Sequence, residues 1–462
     1  LCDRRQRQMC IRDSFSNNGT FHSQGEIEIS GKNIGNTGEI IGSGVDLSGS
    51  LNNSGSIQSK GNISVKNGES VLIKSGGKLV ATGDIDVVIS DSIINEGMIV
   101  GNGNINLDGK NIKNNNGATI WTTKNISLDA EEKIYNGIGS NIEAMGDISL
   151  KGKEIENYGG TIKSGKKMDI KTDSLINKSV VVEDFKIDGY TNAQAVTRWD
   201  QVVFYHLDHV FLEIPNVVDN SYVKDKASIS SGSDMSIQGY SENGKANVLN
   251  EAGTIATSGN LNIVGDVKNL SHRREVSIEW ILENTKVTLY WETKLLGGAH
   301  GNSGTKFSGS LKDALLGGYF NSNDDRFYSS LAQIENPFIE KILSMYLGAD
   351  WKAQNKPVSQ DRWNRDGKLT YVTTGGDAKI IAGGNLTHSG GSFDNDGGES
   401  GGNKDVTVNV GDESVDGIVS NGDVNIGDIN QIKEVDGVKQ IHDVEIITGA
   451  VSYTHLTLPT IA

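Results

Sequence analysis

His206 and His209 are the first pair of side chains in this 462-residue chain whose spacing could hold a metal ion. On a helix, residues three apart share a face, and two imidazoles there could share a zinc. Here the pair lies between two apolar runs, 202–205 and 210–214, closed by Pro215. That pattern reads as two strands of a hairpin with 206–209 at its tip, and the pair lacks a third ligand, so a solvated turn is the better account. Asp394-Asn395-Asp396-Gly397 resembles the middle of a calcium loop, but Ser392 stands at the first ligand position and Asn403 at the last acidic one. A flexible Gly/Asp-rich loop over 390–404 is expected instead. No metal and no cofactor is therefore assigned. Polysaccharide cleavage needs paired acids, or calcium with a basic group, on one surface. Arg198, Arg273, Arg274, Arg326, Arg362 and Arg365 all lie away from the regular part of the chain, and Asp84, Asp86, Asp108, Asp129 and Asp147 fall singly, as solvated corner residues do. No catalytic residue is assigned.

What remains for a surface to work with is aromatic. Of the 28 Phe, Trp and Tyr residues, 21 fall between Val180 and Tyr371. Large rings serve both cores and binding hot spots, so burial in a small cap competes with a recognition role. Trp199, Trp280, Tyr290, Trp291 and Trp351 are the candidate partner-binding residues.

The elements that must position them are repeats. GNISV (61–65), GDIDV (83–87), GNINL (103–107), KNISL (124–128), GDISL (146–150) and KKMDI (166–170) are copies of one phrase. Their first apolar residues, Ile63, Ile85, Ile105, Ile126, Ile148 and Met168, are spaced 22, 20, 21, 22 and 20 residues apart. Ile27-Glu28-Ile29 and Val45-Asp46-Leu47 extend the series upstream. Each phrase alternates apolar and polar, as a short strand does. Between phrases comes Asn-x-Gly followed by Ile, as at Asn36, Asn53 and Asn95, and stretched at Asn114 and Asn157. Asn and Gly tolerate the left-handed backbone of a corner. A period near twenty leaves no room for a helix, and a unit of strand and corner buries its apolar side only by stacking on copies of itself. The fold class is therefore all-β, a right-handed parallel β-helix with inward columns of Ile, Val and Leu and an asparagine ladder at one corner.

Against that period, two departures stand out. The repeat array runs over 15–179, a projecting hairpin interrupts it at 180–228, and coils resume over 229–271 with Met235-Ser236-Ile237 and Leu261-Asn262-Ile263. A second interruption spans 272–370. It begins with an expected hairpin of 276–282 and 287–293 and a Gly-rich link at 297–310. A helical stretch follows, with Asn336-Pro337 as cap and first turn and Gly348 as stop. Less regular coils fill 371–450. This second interruption is the candidate recognition element.

Residues 1–14 and 451–462 read as non-native ends. Each codon from Asp3 to Asp13 can be the antisense partner of one between Val451 and Ile461, so one DNA word sits inverted at both ends, resembling a sequencing-library adapter. Both cysteines, Cys2 and Cys10, lie there, which leaves no disulfide or cysteine-ligand chemistry for the rest. Setting the ends aside removes four arginines and two aspartates and takes the net charge from −16 to −18. A diffuse acidic surface argues against nucleic acid or an anionic membrane as partner, and no apolar run is long enough for a membrane span.

With its GNISL-type phrases, Asn-x-Gly corners and aromatic interruptions, the chain resembles the haemagglutinin-repeat region of filamentous-haemagglutinin-type exoproteins and the related contact-dependent inhibition exoproteins. The resemblance covers most of 15–450. It implies two-partner secretion through an outer-membrane transporter, a fibre at the Gram-negative cell surface, and contact with a receptor or glycan on host or neighbouring cells. Alternatives are the stalk of an exoprotein whose toxin lies further along the chain and, less favoured, a polysaccharide-cleaving β-helix enzyme.

Overall fold

The structure, a computed structural model, describes residues 14–115, 117–201, 203–295, 299–317, 326–353, 358–396 and 399–402, and beyond them the backbone of short strands at 406–410, 413–416, 423–426, 432–435, 438–441 and 444–447. The ends read above as non-native, 1–14 and 451–462, lie outside the described residues, except Ser14. Two compact units emerge. One holds the chain up to Val182, Val223–His272 and the chain from Gly375; the other holds Glu183–Tyr222 and Arg273–Thr374.

The first unit is a parallel β-helix of about 12 turns. Each coil contributes one strand to a 12-stranded sheet, and its remaining strands build an 18-stranded sheet. The repeated phrases stack in register: Ile63, Ile85, Ile105, Ile126, Ile148 and Met168 are successive partners, followed by Met235, Leu261 and Leu386. All are 2% exposed or less, because alternation turns one side of every strand into the tube. At about 4.8 Å per coil this unit is roughly 50 Å long. Where a strand of the 12-stranded sheet ends, the inward position holds only small residues, among them Gly42, Ser59, Ala81, Gly101 and Ala144. The tube is narrow there. A Cβ at Gly42 would already come within 3.2 Å of Ile27.

The asparagine corner is a stacked column in two runs. Nδ2 of each ladder residue donates to Oδ1 of the next: Asn17 to Asn36 to Asn53, then Asn95 to Asn114, Asn136, Asn157, Asn177, Asn250, Asn269 and Asn395, at 2.6–2.9 Å. The second amide hydrogen is used as well. Asn136 donates to the Thr161 carbonyl, Asn157 to that of Ser228 and Asn250 to that of Lys379, each at the next coil's following strand. Ile73, fully buried opposite Asn53 and Asn95, breaks the column into two runs. Asn395 is part of it, so the calcium-like 394–397 segment is accounted for by coil structure as far as Asp396; Gly397 lies outside the described residues.

A second ladder explains the opening of the repeated phrase. Asn62 Oδ1 accepts the Asp84 N–H, and Asp84 Oδ1 that of Asn104. Asn125, Asp147, Asp234 and Asn260 do the same for the coil that follows each. The glycine just before this position must lack a side chain, because a Cβ at Gly83, Gly103 or Gly146 would collide with the accepting oxygen of the preceding coil. Asp84 and Asp147 are thus coil connectors, and not merely solvated corner residues.

Both interruptions leave the β-helix at one corner, just after ladder residues Asn177 and Asn269, and return at Ser228 and Lys379. They fold together into the second unit. Its frame is a four-stranded antiparallel sheet in the order Phe185–Asp200, Phe204–Asp219, Lys286–Leu295, His300–Ser310. The first hairpin closes with Gln201 N–H donating to Phe204 O, so His206 and His209 lie within a strand and not at a tip. The expected strand at 276–282 is instead helix α1, Ile278–Asn284, capped by the Ser277 hydroxyl accepting from Trp280 N–H. Ile278, Ile281 and Leu282 are its buried face, a helical spacing. Strand 286–295 pairs with 204–219 and 300–310, so His300–Ser310 of the Gly-rich stretch is an edge strand.

Helices α2 (Leu311–Leu316), α3 (Arg326–Ala332) and α4 (Pro337–Leu347) complete a separate hydrophobic core with one sheet face. The α4 signals act as expected: Asn336 Oδ1 accepts from Phe338 and Ile339 N–H at 3.1 Å, and Gly348 ends the helix at φ 102°. Tyr328 is enclosed in this core, its hydroxyl donating to the Trp351 carbonyl, and burial pushes its pKa from 10.0 up to about 12.

Two outcomes follow. Asn136→Ala takes the ladder partner from one Asn114 amide hydrogen and from the Asn157 acceptor in the tube, and urea unfolding followed by far-UV dichroism is expected to show a loss of about 1–3 kcal/mol. A loss of only a few tenths would mean the column contributes little. Between pH 10.0 and about 12 the unfolded chain ionises Tyr328 while the folded chain does not, so stability falls as pH rises, by up to about 1.4 kcal/mol per pH unit. Tyr328→Phe should therefore flatten the alkaline side of the second unit's stability profile, read by urea midpoints at pH 9 to 11.

Candidate functional site

Antiparallel pairing places directly opposed residues on the same side of the sheet. Strand 204–219 is buried at Asp208, Val210, Leu212 and Ile214, so its even positions face the helices, and Leu207, His209, Phe211 and Glu213 face away. Opposed residues then form rows across the outward side. Gln194, Phe211, Thr288 and Ser308 make one row. Asn192, Glu213 and Lys286 lie on one flank of it; Val196, His209, Tyr290 and Thr305 lie on the other.

The candidate aromatics divide between environments. Tyr290 is on the outward side, 5.4 Å from His209, whose ring also stacks on Phe211 at 5.9 Å. Trp199 and Trp291 are half-buried on the helix side, where Trp291 stacks on His206 at 5.6 Å and His206 Nε2 lies 3.0 Å from Asp208 Oδ1. Trp280 sits on α1, 6.0 Å from Phe185 and packed on the core. Trp351 is 1% exposed, with its ring edge-on to Tyr328 at 6.0 Å and its indole Nε1 donating to Ser344 Oγ. It cannot meet a partner directly and is a core residue, as a ring that large in so small a unit tends to be. His206 and His209 point to opposite sides of one strand, an odd separation in a period of two, and so share no ligand position.

The outward side contains a depression of about 560 Å3 lined by Asn192, Gln194, Phe211, Glu213, Lys286 and Thr288, with Ala193 and Leu212 beneath. Phe211 is 39% exposed at its centre. Glu213 and Lys286 pair at 3.0 Å, which raises the lysine's pKa, and Lys286 Nζ also lies over the Tyr190 ring at 4.6 Å. Further along, burial would raise the Glu292 pKa, but Lys294 at 3.1 Å and His209 at 3.3 Å outweigh it and hold it below the usual range. Among the described residues the Asn192 and Gln194 amides and the Thr288 hydroxyl make no side-chain hydrogen bond, so their capacity is left for a ligand. Phe211, Asn192 and Gln194 are not among the candidates that the sequence offers. Their signal was the alternation through 204–214, which continues across His206 and His209 without a turn.

The Haemagglutinin repeat family model matches residues 12–79, 69–137, 127–184, 223–272 and 366–428. Neither a curated protein nor a solved structure matches the chain. The matched segments stop at 184 and resume at 223, then stop at 272 and resume at 366. They follow the coils and leave out nearly all of the second unit.

Core and surface aromatics should separate on substitution. Trp351→Ala is expected to cost about 3–5 kcal/mol in the second unit and to open it to limited proteolysis. Phe211→Ala and Tyr290→Ala should leave the cleavage pattern close to that of the parent chain. Equal protease sensitivity for all three would place Phe211 and Tyr290 in the core as well.

Proposed function

The chain belongs to the haemagglutinin-repeat family, and from that premise we propose that its coils are the shaft of a secreted adhesin and its second unit the element that makes contact. The observation that carries this is the pattern of family matches, which covers the coils and skips 185–222 and 273–365. What the family model describes is the repeat; the insertion lies outside its matches. In the shaft, inward side chains are committed to stacking, and the corner amides to one another and to neighbouring backbone. The insertion, by contrast, presents an exposed aromatic ring among polar groups with hydrogen bonds still to make, the combination found at recognition hot spots.

The fibre would reach the Gram-negative outer surface by two-partner secretion through an outer-membrane transporter, and would bind a receptor or glycan on host or neighbouring cells. Among the described residues no helix is long and apolar enough to cross a membrane. The role is structural and adhesive, and catalysis has no part in it.

Replacing 183–222 and 273–374 with short Gly/Ser links tests this division of labour. The shaft should keep its far-UV dichroism, because Asn177 and Asn269 already hold the corner where the links would join, while binding to target cells should fall to background. Cell binding that survives in the shortened protein would overturn the assignment of contact to the second unit.

A further inference from the structure

The outward side of the second unit's sheet has the chemistry of a saccharide site, and we propose that it binds an uncharged oligosaccharide across the Gln194–Phe211–Thr288 row. This rests on the assignment of contact to the second unit and adds the class of ligand. A sugar ring offers a C–H face and a rim of hydroxyls, each both donor and acceptor. Phe211 supplies an exposed flat ring for the first. Asn192 and Gln194 supply planar amides for the second, each offering a donor and an acceptor to adjacent hydroxyls, and both are exposed. Thr288, directly opposite Phe211 on the neighbouring strand, adds a hydroxyl on the far side of the ring.

Charge argues for a neutral ligand. The two ionic groups at the depression, Glu213 and Lys286, neutralise each other at 3.0 Å. An anionic glycan would meet a carboxylate whose partner is already engaged, and an acidic or basic peptide would find no net complementary charge. The site is also preorganised. Its residues stand on three paired strands backed by the fully buried Leu212, Val287 and Leu289, so little ordering accompanies binding. Neighbouring rows on one side of a sheet are about 6.8 Å apart, so a chain of several sugar units would extend from Phe211 past His209 and Tyr290.

The test uses the full chain with maltohexaose, cellohexaose, chitohexaose and dextran as probes, read by saturation-transfer NMR and isothermal titration. At least one should bind, with an affinity changed less than twofold between 50 and 500 mM NaCl. Phe211→Ala should weaken it at least tenfold, and Gln194→Ala, at an exposed position where folding is not at stake, about three- to tenfold. Trp121→Ala on the shaft should leave it unchanged. Failure of all four probes to bind, binding that falls steeply with salt, or binding indifferent to both Phe211→Ala and Gln194→Ala would overturn the saccharide site. Cell binding separates the two levels. Cell binding that Phe211→Ala abolishes without any oligosaccharide binding keeps the contact role and rejects the sugar, whereas cell binding retained without the second unit rejects both.

Discussion

A carboxamide has an acceptor and a donor on one planar group, so identical side chains stacked at the spacing of neighbouring strands can pass a hydrogen bond along a column without end. The register of this protein's coils depends on that property. Asn114, Asn136, Asn157 and Asn177 are fully enclosed, where an unanswered amide would be costly, and each is answered by the coil before and the coil after. The requirement sets register. A coil shifted by one residue would turn its ladder asparagine outward and bring an outward side chain into the column. Ile73 is the one described place where an apolar side chain fills the corner, and the backbone pairing passes through it intact. Stacked aliphatic columns therefore carry the coil locally, and the ladder adds specificity along the tube.

The same column makes large insertions tolerable. Asn157 reaches the carbonyl of Ser228 across the first insertion, and Asn250 that of Lys379 across the second. The corner is held on both sides of each departure, so the chain leaves and rejoins a frame that does not need the intervening residues to close it. The two departures lie at one corner and only two coils apart, about 10 Å along the tube. Segments separated by some sixty residues in sequence thus start close together, and strand 204–219 finds its partner in 286–295. Closing that contact costs little loop entropy once the coils have folded. A generic shaft and a particular sheet with an open aromatic-polar side can then coexist in one chain.

Much of the shaft was legible in the sequence because its contacts are between copies of the same phrase. A contact between Ile85 and Ile105 is long-range in the chain but local in the repeat, so periodicity stands in for tertiary information. The ladder could be read for the same reason. The Gly-Asn and Gly-Asp openings could be seen as recurrent, but not why. Their cause is a side chain of one coil occupying the space where the next coil's glycine lacks a Cβ, and that became visible only with the coils stacked.

The second unit offered no such shortcut. The run 276–282 fits alternation and helical spacing about equally. The Ser277 cap and the packing of Ile278, Ile281 and Leu282 against α2 and α4 decided for the helix. Likewise, 206–209 looked polar enough for a turn, but pairing on both sides with strands far apart in sequence kept His206 and His209 extended. Sequence alone determined the coil, its period, its corner and the places where it is interrupted, because each is a property of local pattern repeated many times. The tertiary structure decided that the two interruptions are one unit, that Trp351 is core, and that Phe211 lies exposed beside Gln194. Those outcomes rest on single, unrepeated contacts between distant segments, and a side chain's facing is set by the partner its strand finds.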